Sequence, residues 1–341
     1  MEKGNKVKIL AMLTILMIAL LASNLIFLNP KVVDQNPKEL EEITIPISWF
    51  HGGIWTFIYN AQEKGFFEEQ GLKVKIIETK GSAITSQLIG SGEYLIGIVS
   101  ADTAMISKDK GVPLTVVGVV DKLGHSGITC HYNSNVKTAK DLEGKKVGVT
   151  ITSNTYQQFL SYLKLNDVDR KKINEVPISG AGQEFLAGKV DCHALTPIVS
   201  ENMAKIKGIK VNSILYYDEG LKNYGLTIVA NSKALQENPE LVEKIVNALQ
   251  KGLEYEKNNP QESLEIMFKQ QPHLLKNKEY ETNFFDTKIE NYKKLPKNID
   301  PFDGKMDPEV WKFMERILQE TEMINGNINL EEFYTNEFLS I

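Results

Sequence analysis

The dipeptides Cys130-His131 and Cys192-His193 each set a thiol beside an imidazole, the two side chains that zinc favours. Each lies in a run that reads as a β-strand, where neighbouring side chains point to opposite faces, so neither pair offers both groups to one ion. No metal is expected. An exported chain with two cysteines can form one disulfide. The two runs read as separate strands, so two buried thiols are the expectation, and the sequence leaves the bond itself open. Nucleophile-elbow, phosphate-loop and zinc-hydrolase spacings are missing, which leaves binding rather than catalysis, with no catalytic residue and no cofactor expected.

The binding chemistry sits in short stretches. Trp49, Trp55 and Tyr59 bring aromatic faces to one segment, suited to stacking on a flat heterocycle. His51, followed by two glycines, either hydrogen-bonds a solute or caps the next helix. Asp102 suits a ligand amino group or a helix dipole. Ser82, Ser100, Ser153, Asn154, Thr155 and Thr196 add hydroxyl and amide groups at the starts of helices, where at least one of the 153–155 trio is a cap. Asp191 reads as a residue that fixes a turn.

Elements of an α/β chain must position these groups. From Ile43, short apolar runs alternate with helical ones, the mark of parallel strands joined by crossover helices. Strands are expected at 43–48, 73–77, 95–99 and 116–120, then at 127–130, 146–150, near Val176, and at 190–195, 209–216 and 225–230. Helices are expected at 54–64, from Ser82 as N-cap, from Ser100, and at 155–165, 239–257, 260–269 and 308–320, the last three each opening with Asn or Asp before Pro. In the first helix Ile54, Phe57, Ile58 and Ala61 form the core stripe, with Trp55, Tyr59 and Gln62 beside it. Open parallel sheets bind ligands beyond the carboxyl ends of their strands, which nominates the loops 49–53, 81–82, 100–103, 151–155 and 196–197.

The 341 residues are 42% hydrophobic with a formal charge of −5, enough for two cores and unlike a nucleic-acid binder, whose basic residues gather on one face. Lys3, Lys6 and Lys8 precede an apolar run from Ile9 to Leu28, about long enough to cross a bilayer, so residues 1–28 read as an uncleaved anchor or a signal peptide and 29–42 as a polar tether. The rest is then expected outside the cytoplasmic membrane. Arg170 and Arg316 are the only arginines and neither lies in a nominated loop, which favours a neutral heteroaromatic solute over an anion.

The runs IWTFIYNAQEKGFFEEQGL from Ile54, TAKDLEGKKVGV from Thr138 and AGKVDCHALTP from Ala187 resemble those of extracytoplasmic solute-binding proteins of the pyrimidine-precursor, sulfonate and nitrate uptake group, and the DPEVW and LEEFYTNEFL tail resembles members that bind thiamine-pyrimidine or riboflavin-like solutes. The resemblance implies a type II periplasmic-binding-protein-like fold: two doubly wound domains joined by two crossing segments, domain I from 43–124 and 225–341, domain II from 125–224. It also implies a monomer that clamps a small-molecule solute between its domains and hands it to the permease of an ATP-driven (ABC) importer. Alternatives within the resemblance are a sulfonate or nitrate binder and a pyrimidine-synthase-like enzyme.

Overall fold

A computed structural model describes residues 40–179 and 182–339. The N-terminal segment assigned to an anchor and most of the tether lie outside them. Among the described residues no helix is long and apolar enough to cross a membrane.

Two five-stranded sheets organise the chain. The first takes β1 (Glu41–Ile47), β2 (Leu72–Glu78), β3 (Ile96–Ser100) and β4 (Leu114–Val119), the second β5 (Gly127–His131), β6 (Lys146–Val149), β7 (Asn174–Pro177), β8 (Cys192–Leu195) and β9 (Val211–Leu215), after which β10 (Leu226–Asn231) rejoins the first. The spatial orders are β2-β1-β3-β10-β4 and β7-β6-β8-β5-β9. Parallel pairing was expected throughout, yet β10 runs antiparallel to both its neighbours and β5 to both of its own. These are the strands that begin each return from the other sheet, so their direction is set by the crossing. The crossings lie side by side: Gly225 N–H donates to Asp121 O at 2.8 Å and Gly124 N–H to Asn223 O at 2.9 Å.

Helices α1 (Thr56–Glu63), α2 (Ser82–Gly90), α3 (Ala101–Asp109), α4 (Asn154–Leu165), α5 (Pro197–Ile206), α6 (Pro239–Asn258), α7 (Pro260–Gln270), α8 (Lys278–Tyr292) and α9 (Pro308–Glu320) cover the sheets. Against one face of the first sheet, Phe57, Ile58 and Ala61 of α1 pack with Val242, Ile245 and Leu249 of α6. The helices approach so closely that a Cβ on Gly252 would stand 2.2 Å from Phe57 O. The other face is closed by α3 and by Trp311, Met314 and Leu318 of α9. Ile317, on the same helix, joins the core of the second sheet with Phe159 and Tyr162. Thus α9 reaches both cores.

Two local expectations need correction. Gly81, at φ 113°, is the residue before α2, and Ser82 is not its side-chain cap; its Oγ accepts instead from Ser100 N–H at 3.0 Å, tying α2 to the exit of β3. The cysteines are not free thiols: Cys130 and Cys192 oppose one another across antiparallel β5 and β8 and form a disulfide. Separate strands proved to be neighbours in register, which a local reading cannot see.

Candidate functional site

The loop after β1 is the most exposed apolar feature of the first sheet's carboxyl end. Trp49 and Phe50 are 58% and 60% exposed, with ring centroids 5.1 Å apart, edge to face. Below them His51 is fixed: its N–H donates to Glu78 Oε1 at 2.6 Å and its Nδ1 lies 2.5 Å from Tyr59 Oη. Burial lowers the affinity of the His51 ring for a proton and nearby His273 adds to this, while Glu78 opposes it. Burial, with Glu78 and Glu281, drives the Tyr59 hydroxyl well above its ordinary value, so it stays a phenol that can donate. The stripe of Trp55 and Tyr59, expected to face solute, is instead buried in the core; the Trp55 indole N–H donates to Phe50 O at 2.9 Å. Both rings support the loop from beneath.

Glu281, on α8, accepts from Gly53 N–H at 2.8 Å and so anchors the start of the first helical turn. Burial raises its carboxyl above the ordinary range, against that hydrogen bond and the influence of His273. Neither α8 nor α5 was anticipated. The α8 sequence KEYETNFFDTKIENY buries Glu281, Lys288 and Tyr292 along with Phe285, so it lacks the apolar stripe by which a helix is recognised.

A second group forms where the sheets meet. Ser100 Oγ donates to Thr103 Oγ1 at 2.9 Å, and Asp102 Oδ2 accepts from Gln158 Nε2 at 2.5 Å and Asn223 Nδ2 at 3.4 Å. The start of α3 is therefore bonded to α4 on the second sheet and to the second crossing. Ser153 caps α4 through Tyr156 N–H at 3.2 Å, and its Oγ lies 2.8 Å from Thr155 Oγ1. Asn154 opens that helix half-buried. Asp191 Oδ2 accepts from Lys146 N–H at 2.8 Å, a structural use.

Burial pushes the Asp102 carboxyl up to about 6 from 3.8, although Gln158, its own backbone and Asn223 pull the other way. The folded chain therefore holds a proton that the unfolded chain has lost, and this favourable contribution is complete below pH 3.8 and gone once pH rises through 6. Asp102→Asn keeps an acceptor for Gln158 and removes the titration. It is expected to match the parent near pH 4 and to be more stable by about 2–3 kcal/mol at neutral pH. Urea melts at the two pH values check this; an equal difference at both would refute the assignment.

The last nominated residue, Thr196, stands apart from the others. It precedes α5 and lines a cavity of about 230 Å³ between the second sheet and α8, with His125 and Lys288. The Lys288 ammonium and Glu256 carboxylate lie 2.7 Å apart, both buried, and Thr56 Oγ1 donates to Glu256. Nearby Tyr292 Oη donates to Asp121 in the first crossing. Burial alone would raise the Asp121 carboxyl, but His125, Lys288 and Tyr292 together bring it below its ordinary value.

Among the described residues no three His, Cys, Asp or Glu side chains converge to hold an ion. His193 is buried, its Nδ1 lies 3.1 Å from Ser200 Oγ, and its proton affinity is lowered to about 4 by burial.

Comparison with known proteins places this arrangement. The NMT1/THI5 like family model matches residues 54–263. The formylaminopyrimidine-binding protein of Halalkalibacterium halodurans is 23% identical over 283 residues, covering 81% of this chain and 84% of that one. The 4-amino-5-hydroxymethyl-2-methylpyrimidine phosphate synthase of Legionella pneumophila is 21% identical over 306 residues, 87% of this chain and 92% of the relative. Among solved structures, the periplasmic aliphatic sulphonate binding protein SsuA of Escherichia coli superimposes with a TM-score of 0.68 at 16% identity, over 86% of this chain and 91% of that one, a likeness of fold. The two mixed sheets are thus a periplasmic-binding-protein fold, and the chain belongs to the NMT1/THI5 like family.

Proposed function

We propose that this protein is an extracytoplasmic solute-binding protein that captures a small, flat heteroaromatic solute of the thiamine-pyrimidine-precursor kind, without chemical change, and delivers it to the permease of an ABC importer. In this reading residues 43–124 with 225–341 and residues 125–224 are two lobes that close by bending at the paired crossings. The observation that carries it is where apolar surface is left open. Trp49 and Phe50 after β1, Ile84 in the first turn of α2 and Ile151 after β6 are 58%, 60%, 46% and 56% exposed, all at the carboxyl ends of strands, in both sheets. Tyr132, Ile206 and Leu275 are exposed elsewhere, as scattered apolar residues ordinarily are, while the four at these strand ends are what a closing cleft would cover.

Trp49 supplies the stacking face and His51 a hydrogen bond, with Trp55 and Tyr59 holding their loop; Ser82, Ser100, Asp102 and the Ser153–Thr155 turn line the way between lobes. An anionic solute is disfavoured because Arg170 is already bonded to Glu175 and Tyr156. A disulfide between Cys130 and Cys192 suits an oxidising compartment, reached through the basic and apolar N-terminus, which also serves as membrane anchor. The curated relative named for binding formylaminopyrimidine supports the solute class.

The test is mass spectrometry of whatever co-purifies with the full chain, with thermal-shift titration of 4-amino-5-hydroxymethyl-2-methylpyrimidine, flavins, taurine and nitrate. A shift with the pyrimidine, and its recovery unaltered, is expected. Trp49→Ala should weaken that binding about tenfold, the worth of one aromatic stack. A shift with taurine alone, or a solute returned chemically altered, would overturn the reading.

A further inference from the structure

Glu78, the last residue of β2, lies in none of the loops that carry the heterocycle contacts, yet it stands beside the aromatic loop with binding capacity to spare. Its Oε1 accepts from the His51 backbone N–H at 2.6 Å, while Oε2 has no hydrogen-bond partner among the described residues and the side chain is 34% exposed. The carboxylate is thus fixed through one oxygen and open at the other. His51 supplies the opposite polarity. Tyr59, whose hydroxyl stays protonated, donates to His51 Nδ1, so the neutral imidazole carries its proton on Nε2. Glu78 Oε1, 3.9 Å from Nε2, favours the proton there but lies too far off to accept it. The His51 side chain is 14% exposed, which leaves the Nε2 donor open to a solute.

A donor and an acceptor therefore stand side by side, in the same loop as the exposed Trp49 ring and at its edge. A flat solute stacked on that ring meets them with its own edge. In a 4-aminopyrimidine a ring nitrogen that accepts adjoins an amino group that donates, and these answer the imidazole and the carboxylate in turn. The lactam edge of a pyrimidinone, turned over in its plane, offers the same two groups. A heterocycle without an N–H strips water from Glu78 and returns no bond. Nitrate and sulfonates offer acceptors only and bring like charge to the carboxylate.

We infer that Glu78 and His51 form a two-point clamp that admits flat heterocycles carrying an N–H beside an acceptor, with Glu78 as the residue that demands the N–H. This rests on the proposed capture of a heterocycle at the aromatic loop and narrows its chemistry.

Calorimetric titration of the full chain with 4-amino-5-hydroxymethyl-2-methylpyrimidine, and with the analogue bearing hydrogen in place of the amino group, tests it. The amino compound is expected to bind about tenfold or more tighter. In Glu78→Gln the amide oxygen still accepts from the His51 N–H, and the amide nitrogen turns a donor toward the solute. That variant should bind the amino compound about tenfold more weakly and the analogue unchanged, so that the preference disappears, whereas a residue that only holds the loop would weaken both alike. Equal binding of the two compounds by the parent, or a preference that survives Glu78→Gln, overturns the clamp and leaves capture of a heterocycle standing; binding of neither compound overturns both.

Discussion

Replacing Cys130 and Cys192 together by alanine is expected to lower the stability of the folded chain by about 4 kcal/mol, with a fall in melting temperature of roughly 10 °C. The bond spans 62 residues, and a closed loop of that size removes much of the freedom of the unfolded chain. What it closes matters as much. The bond links β5, the first strand after the crossing, to β8, the strand that leads into Thr196 and α5, so it staples the segment that carries the cavity wall to the hinge. Both sulfurs are buried, so reductant added to the native protein should act slowly and the parent with reductant in urea should match the alanine variant. Urea unfolding of the three samples provides the check. A difference below about 1 kcal/mol would mean that the cross-link restrains a chain already compact when unfolded. The same bond bears on location, because a thiol-reducing compartment would not maintain it.

Much of this architecture could be read from the sequence because its causes are local. Alternating apolar and helical runs mark β1 to β4 and their helices, Gly65 at φ 74° ends the first helix, and Asn238 and Asp307 cap α6 and α9 before a proline. The features that escaped depend on partners far along the chain. The reversed strands β5 and β10 follow from the crossings, and the disulfide from the register of β5 on β8. Trp55 belongs to the expected stripe by spacing, yet α8 and the loop above cover it, so the exposed aromatics are its neighbours Trp49 and Phe50. Spacing names a face and tertiary packing decides whether that face stays open. The cavity was least visible, since its walls come from α5 and α8, which carry no strong apolar period. A cue was present in KIENY, where a lysine falls among the apolar residues of a helix and signals a buried charge in need of a partner.

That lysine gives the second large effect. Lys288→Met is expected to destabilise the protein by about 3–5 kcal/mol, because Glu256 would remain fully buried with Thr56 as its hydrogen-bond partner and no compensating charge. Glu256→Leu should cost a similar amount by stranding the ammonium. The double variant should recover most of both losses, since a well-packed apolar pair often matches a buried ion pair. Urea unfolding of the four proteins gives the coupling energy, and additive losses in the double variant would refute the pairing. If apolar residues serve stability as well, the pair is retained for another reason. It joins α8 to α6 and, through Thr56, to the start of α1.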